Sequence, residues 1–186
     1  MSKSSKSVVD SRKVSGELLT LTYGALVTQL LKDYEEGDRV NTQLDKIGYN
    51  IGLRLIDDFL SKNPNVGRCS DLSEVADVIA KHAFRTYLGV TPTVTNWSAC
   101  GDEFSLVMDN NPLMEFVEYP SNSATDDAYR NLHYSQVICG ALRGALEMVH
   151  FEVQVWFVGD AQKSNETEIR IKFIRKVEET VPAGED

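Results

Sequence analysis

Cys69, Cys100 and Cys139 are the side chains in this 186-residue sequence best suited to covalent chemistry. A cysteine reacts as its thiolate, which near neutral pH needs a helix N-terminus, a cation or a histidine beside it. Cys139 falls between Ile138 and Gly140 on an apolar helix face, so it reads as a packed hydrophobe. Cys100 sits in the turn Ala99-Cys100-Gly101 with nothing adjacent to activate it. Cys69 differs. It follows Arg68 in a short connection and precedes Asp71-Leu72-Ser73-Glu74, which resembles a capping box with Asp71 at the cap. The positive end of that helix would favour a thiolate. Taken alone, these residues leave two readings for Cys69: a structural thiol, or a reactive or modified one.

Other chemistry finds little support. There is no phosphate-cradling G-x-x-x-x-G-K-[ST], no G-x-G-x-x-G after a strand, no H-E-x-x-H and no G-x-S-x-G. His82, His133 and His150 lack metal-ligand spacing and read as solvated or core-edge residues. Asp57-Asp58 and Glu35-Glu36 are consecutive, so their members diverge by about 100° around a helix and cannot face one substrate. The expectation is a non-enzymatic protein without a metal site. Three widely spaced cysteines also argue against a disulfide-stapled secreted domain. The sequons at Asn96 and Asn165 are then chance matches.

The elements that must position these residues follow from periodicity. Residues 15–36 form a helix apolar on most sides, through Leu18, Leu19, Leu21, Tyr23, Ala25, Leu26, Val27, Leu30 and Leu31. Such a helix is expected to be covered by several neighbours. Gly37 is expected to end it and Asp38 to cap the next. Val40, Leu44, Ile47, Ile51, Leu55 and Phe59 mark one face of that second helix, which Asn63-Pro64-Asn65 stops. Gly48 and Gly52 lie one turn apart, so something should press close there. A third helix, rich in small inward residues, runs from Leu72 to Gly89. Strands are expected at 91–95 and 103–108, a short extended piece at 113–118 and a polar, acidic loop at 119–128. A fourth helix is expected over 127–150, then an antiparallel hairpin of 151–157 with 169–173. The predicted fold is α+β, two-layered, with helices on one side of a twisted antiparallel sheet of about four strands. Residues 15–177 make a single domain between a disordered basic arm (1–14) and a flexible tail (178–186).

Composition bounds the function. With 28 acidic and 19 basic residues the net charge is −9, which argues against nucleic-acid binding and electrostatic membrane coating. A hydrophobic fraction of 42% is enough to build a core, which rules out wholesale disorder. No secretory leader and no membrane-spanning run of roughly 18 apolar residues is read, so the cytoplasm is expected.

A family resemblance enters through longer strings. The run Leu19-Thr20-Leu21-Thr22-Tyr23-Gly24-Ala25-Leu26-Val27-Thr28-Gln29-Leu30 resembles the small subunits of the trafficking protein particle (TRAPP) complex, its third subunit in particular. So do Asn65-Val66-Gly67-Arg68-Cys69, Gly101-Asp102-Glu103-Phe104-Ser105-Leu106, Asn111-Pro112-Leu113 and Cys139-Gly140-Ala141-Leu142-Arg143-Gly144. The likeness runs in order over residues 15–186.

That resemblance implies a core subunit of a vesicle-tethering complex in transport from the endoplasmic reticulum to the Golgi. It implies partners of like fold, a homodimer among them, and a Rab-family GTPase whose nucleotide the assembled complex exchanges. Association with cis-Golgi and endoplasmic reticulum membranes would be peripheral, through the complex. It further implies palmitate, or a similar acyl chain, as a thioester on Cys69, threaded into a tunnel lined by Ala76, Ile79, Ala80 and Ala83. His82 stands where the family usually has an aliphatic residue, and the 119–128 loop is longer and more acidic than expected. Tail residues Pro182, Ala183, Gly184 and Glu185 are implied to reach the GTPase. Two other readings stay open: a fatty-acid or small-molecule binder whose tunnel is the function, and a self-acylating thiol enzyme. Gly48, Gly52, Gly140 and Gly144 would serve subunit packing or packing within the chain.

Overall fold

A computed structural model describes residues 15–120, 129, 131–158 and 166–177. The expected basic arm and C-terminal tail lie outside them. In chain order the elements are α1 (Gly16–Tyr34), α2 (Gly37–Lys62), α3 (Leu72–Val78), a π-helical turn (Ile79–Ala83) and α4 (Phe84–Tyr87). Next come β1 (Thr93–Thr95), β2 (Glu103–Met108), α5 (Gln136–Met148), β3 (Phe151–Val158) and β4 (Thr167–Lys176). All strand pairs are antiparallel, in the order β1-β2-β4-β3. The fold is therefore α+β, as the grouping of helices before strands predicted.

Register shows how the sheet makes a core. Phe104 pairs with Ile171, Leu106 with Ile169, and Val155 and Phe157 lie across β4 from the same two residues. Directly opposed residues share a face, so one side of the sheet is apolar. Phe104, Leu106, Ile169 and Ile171 are completely buried. The opposite face carries Glu103, Ser105, Glu168, Arg170 and Trp156. There Arg170 bonds Glu103, and Ser105 donates to Glu168, which explains how Ser105 is buried without an apolar partner.

Above the apolar face, α2 crosses α5 at backbone contact. A methyl group on Gly48 would collide with the carbonyl of Val137, and one on Gly52 with that of Ala141. Reciprocally, a methyl on Gly140 would strike the Asp45 carbonyl, and one on Gly144 that of Tyr49. The close neighbour expected for Gly48 and Gly52 is thus α5 of the same chain, so these four glycines pack within the monomer. A polar seam edges the crossing: Arg143 bonds Asp45 and lies 4.7 Å over the Tyr49 ring, and Tyr49 donates to Glu147 at 3.0 Å.

Several boundaries differ from the sequence expectation. Glu35, at φ 58°, makes the left-handed end of α1, and Gly37 instead opens α2, whose cap position Glu36 makes no side-chain cap bond. α1 is also far less covered than expected, because only Thr20, Tyr23 and Val27 are buried. Residues 112–116 turn rather than extend, since the Asn111 carboxamide oxygen accepts from Leu113 N at 3.1 Å and redirects the chain. Within the described residues the fourth helix begins at Gln136; Asn131, at φ 62°, is incompatible with a helix running unbroken through it into α5.

Gly48→Ala and Gly140→Ala should each destabilise the chain by about 2 kcal/mol in urea unfolding, overpacking outweighing the better helix propensity of alanine. Gly16→Ala, with open space around its α-carbon, should be neutral. Equal effects at all three positions would contradict a backbone-contact crossing.

Candidate functional site: a half-buried thiol beside a small-residue helix

Cys69 sits in the connection between α2 and α3. Asn63 caps α2, its side chain donating to Phe59 O at 2.9 Å, and Val66 N donates to Asn63 O at 2.9 Å. On the far side the capping box is present. Glu74 N donates to Asp71 Oδ1 at 2.9 Å, while Ser70 N donates to Glu74 Oε2 at 2.7 Å. The reciprocal bond thus comes from the residue before the cap. Fastened at both ends, the connection brings Cys69 half-buried against the apolar core.

The electrostatics oppose the expected thiolate. Burial, then the carboxylates of Glu74 and Asp71, push the Cys69 thiol above its ordinary pKa. The side chain of Asp71 already accepts from the first turn of α3, so less of the helix dipole reaches the sulfur. This environment disfavours the thiolate that a self-acylating enzyme would need. An acylated sulfur carries no charge, however, and this environment costs it nothing. A thiol with a raised pKa is also a poorer leaving group, so a thioester formed there would persist.

Beyond Cys69 the helical run presents small side chains to the core. Ala76, Ile79 and Ala80 are buried, at 0, 6 and 1% exposure. The π turn over Ile79–Ala83 inserts one extra residue, and such insertions are frequent at functional sites. It leaves Ala83 half-buried at the edge of the inward stripe, while Phe84 takes the buried place at 4%. His82 is exposed, so its imidazole does not enter the core. No signal in the sequence announced the π turn.

The other thiols keep the roles read for them. Cys139 is fully buried and its thiol is pushed far up by burial. Cys100 is exposed. Among the described residues no group of three or more His, Cys, Asp or Glu could hold a metal ion, and no helix is long and apolar enough to cross a membrane. Asp58 accepts from Lys62 at 2.7 Å and from the Tyr87 hydroxyl at 2.6 Å, and Glu36 pairs with Arg39, so neither acidic pair faces a shared site. Surface clefts of about 370 and 480 Å³ lie along α1 and α2, and neither has Cys69 in its wall. Pro182, Ala183, Gly184 and Glu185 fall outside the described residues. Sequence reasoning missed Lys176, whose Nζ donates to Ser70 O at 3.2 Å across 106 positions of chain; only the topology brings them together.

Comparison with known proteins places this geometry. The family model described as transport protein particle (TRAPP) component matches residues 19–174. The trafficking protein particle complex subunit 3 homolog of Caenorhabditis briggsae is 49% identical over 100% of this chain and 99% of its own. The subunit BET3 of Saccharomyces cerevisiae is 46% identical over 95% of this chain and 89% of its own. Among solved structures, a trafficking protein particle complex subunit 3 from Naegleria fowleri, covalently bound to palmitic acid, superposes with a TM-score of 0.81 at 44% identity. That match covers 88% of this chain and 98% of the other. With a family model spanning most of the described core and relatives aligned nearly end to end, this chain belongs to the TRAPP component family, and the relatives it resembles are that complex's third subunit.

Proposed function

We propose that this chain is a non-enzymatic core subunit of a vesicle-tethering complex acting between the endoplasmic reticulum and the Golgi, and that it holds a palmitate-like chain as a thioester on Cys69. The observation that carries this reading is the placement of Cys69, half-buried against the core directly before a helix whose inward residues are Ala76, Ile79 and Ala80. Burying an acyl chain there at about 0.8 kcal/mol per methylene would add on the order of 10 kcal/mol gross, so the lipid acts as core and not as a membrane anchor. The Naegleria relative bound to palmitic acid supports the same reading.

Partner subunits of like fold, a second copy among them, are supported by the uncovered side of α1. Leu18, Leu19, Leu21 and Leu26 are 58, 51, 71 and 38% exposed, four large apolar side chains left uncovered along one helix. Through such an assembly the chain would sit peripherally on cis-Golgi and endoplasmic reticulum membranes from the cytoplasmic side. The assembly would promote nucleotide exchange on a Rab-family GTPase, with Pro182, Ala183, Gly184 and Glu185 reaching it.

Intact mass of the purified chain should show one fatty acyl adduct, removed by neutral hydroxylamine and absent from Cys69→Ser. Ala83→Leu, at a half-buried site that tolerates added bulk, should fold yet lose most of the adduct. An unmodified wild-type mass would refute acylation of that preparation, and a fully acylated Ala83→Leu chain would refute Ala83 as a wall of the tunnel. In the assembled complex, Leu19→Glu combined with Leu21→Glu should abolish co-purification with like-folded subunits. Deleting residues 182–185 should slow exchange and leave co-purification intact. The reverse pattern would overturn both assignments.

A further inference from the structure

Lys176 fastens the connection that carries Cys69 to the sheet, and we propose that it is a latch: a positioning residue that holds the Cys69 sulfur against the core and limits its access to solvent. Both backbone groups of Ser70, the next residue, are engaged. Its N–H goes to Glu74 in the first turn of α3, and its carbonyl receives Lys176 Nζ at 3.2 Å. Lys176 is itself held in place. It is paired across the β3–β4 ladder with Phe151, its Nζ stands 5.5 Å above that ring, and Val177 N donates to His150 O at 2.9 Å just beyond the strand. On the other side of Cys69, Gly67 has open space around its α-carbon and can act as a hinge. The connection is thus held before Gly67 by the Asn63–Val66 turn, and after Cys69 by a strand end formed by a different part of the chain.

The part of this inference that concerns a thioester rests on the acyl reading above; the latch itself does not. Two rates separate them, measured on the full chain carrying Cys100→Ser so that the exposed thiol does not report. The first is clearance of the acyl adduct by neutral hydroxylamine, which attacks the thioester carbonyl, breaks the C–S bond and leaves the hydroxamate and a protonated thiol. The second is alkylation of the cleared Cys69 by a maleimide. Lys176→Met should raise both about fivefold, since one charge-assisted hydrogen bond and one cation–π contact at an exposed site are lost. Lys176→Arg should restore them. Arg175→Gln, which breaks only the neighbouring pair with Glu152, should change neither. Loss of a positive charge by itself disfavours a thiolate and slows alkylation, so a faster reaction reports access. Unchanged rates in Lys176→Met, or an equal rise in Arg175→Gln, would overturn the latch. A wild-type chain without an adduct would overturn the acyl reading and leave the alkylation rates to decide the latch.

Discussion

Four glycines meeting four carbonyls set the geometry of this molecule. Gly48 and Gly52 on α2, with Gly140 and Gly144 on α5, let two helices approach until each backbone rests on the other. At that separation the side chains flanking the crossing must point up or down. Leu44 and Val40 from α2, with Cys139, Leu142 and Leu146 from α5, are driven into the core. Glycine in a helix interior costs about 1 kcal/mol relative to alanine, and four such positions persist because dispersion between close-packed backbones outweighs the loss.

Everything that bears on Cys69 hangs from that frame. α2 delivers the connection at its capped C-terminus, while α5 leads straight into β3, whose partner β4 ends at Lys176. The run from Leu72 to Tyr87 is two short α-helical pieces joined by a π turn, with small side chains inward. Small residues give up contact area that another apolar body can supply. In the proposed acylated chain, the rigid crossed pair would stand on one side of the lipid and the run of alanines on the other.

Much of this was legible in the sequence. The 3- and 4-residue spacing of Val40, Leu44 and Phe59 gave α2, Asn63-Pro64 gave its end, and alternation in 103–108 and 151–157 gave β2 and β3, because local pattern determines those features. The capping box at Asp71 was readable for the same reason. What escaped depends on distant contacts or on single backbone conformations. The sequence required a close neighbour for Gly48 without naming α5, and the left-handed Asn131 that delays α5 has no periodic signature. At the site, composition left Cys69 open between two readings, and the family strings tipped it toward acylation. Burial first, and then Glu74 and Asp71, the residues that define the cap, oppose the thiolate that the helix end would favour. Exposure along α1 reads as hydrophobic excess in the sequence and as an uncovered face in the fold.

In the proposed acylated chain, the α2–α5 crossing is a frame indifferent to the lipid, and the Leu72–Tyr87 run is the element the lipid completes. Hydrogen–deuterium exchange on the acylated chain, before and after clearance with hydroxylamine, tests it directly. Clearance should speed exchange through residues 72–87 and leave the amides of α2 and α5 unchanged. Equal acceleration in all three segments, or none in residues 72–87, would contradict it.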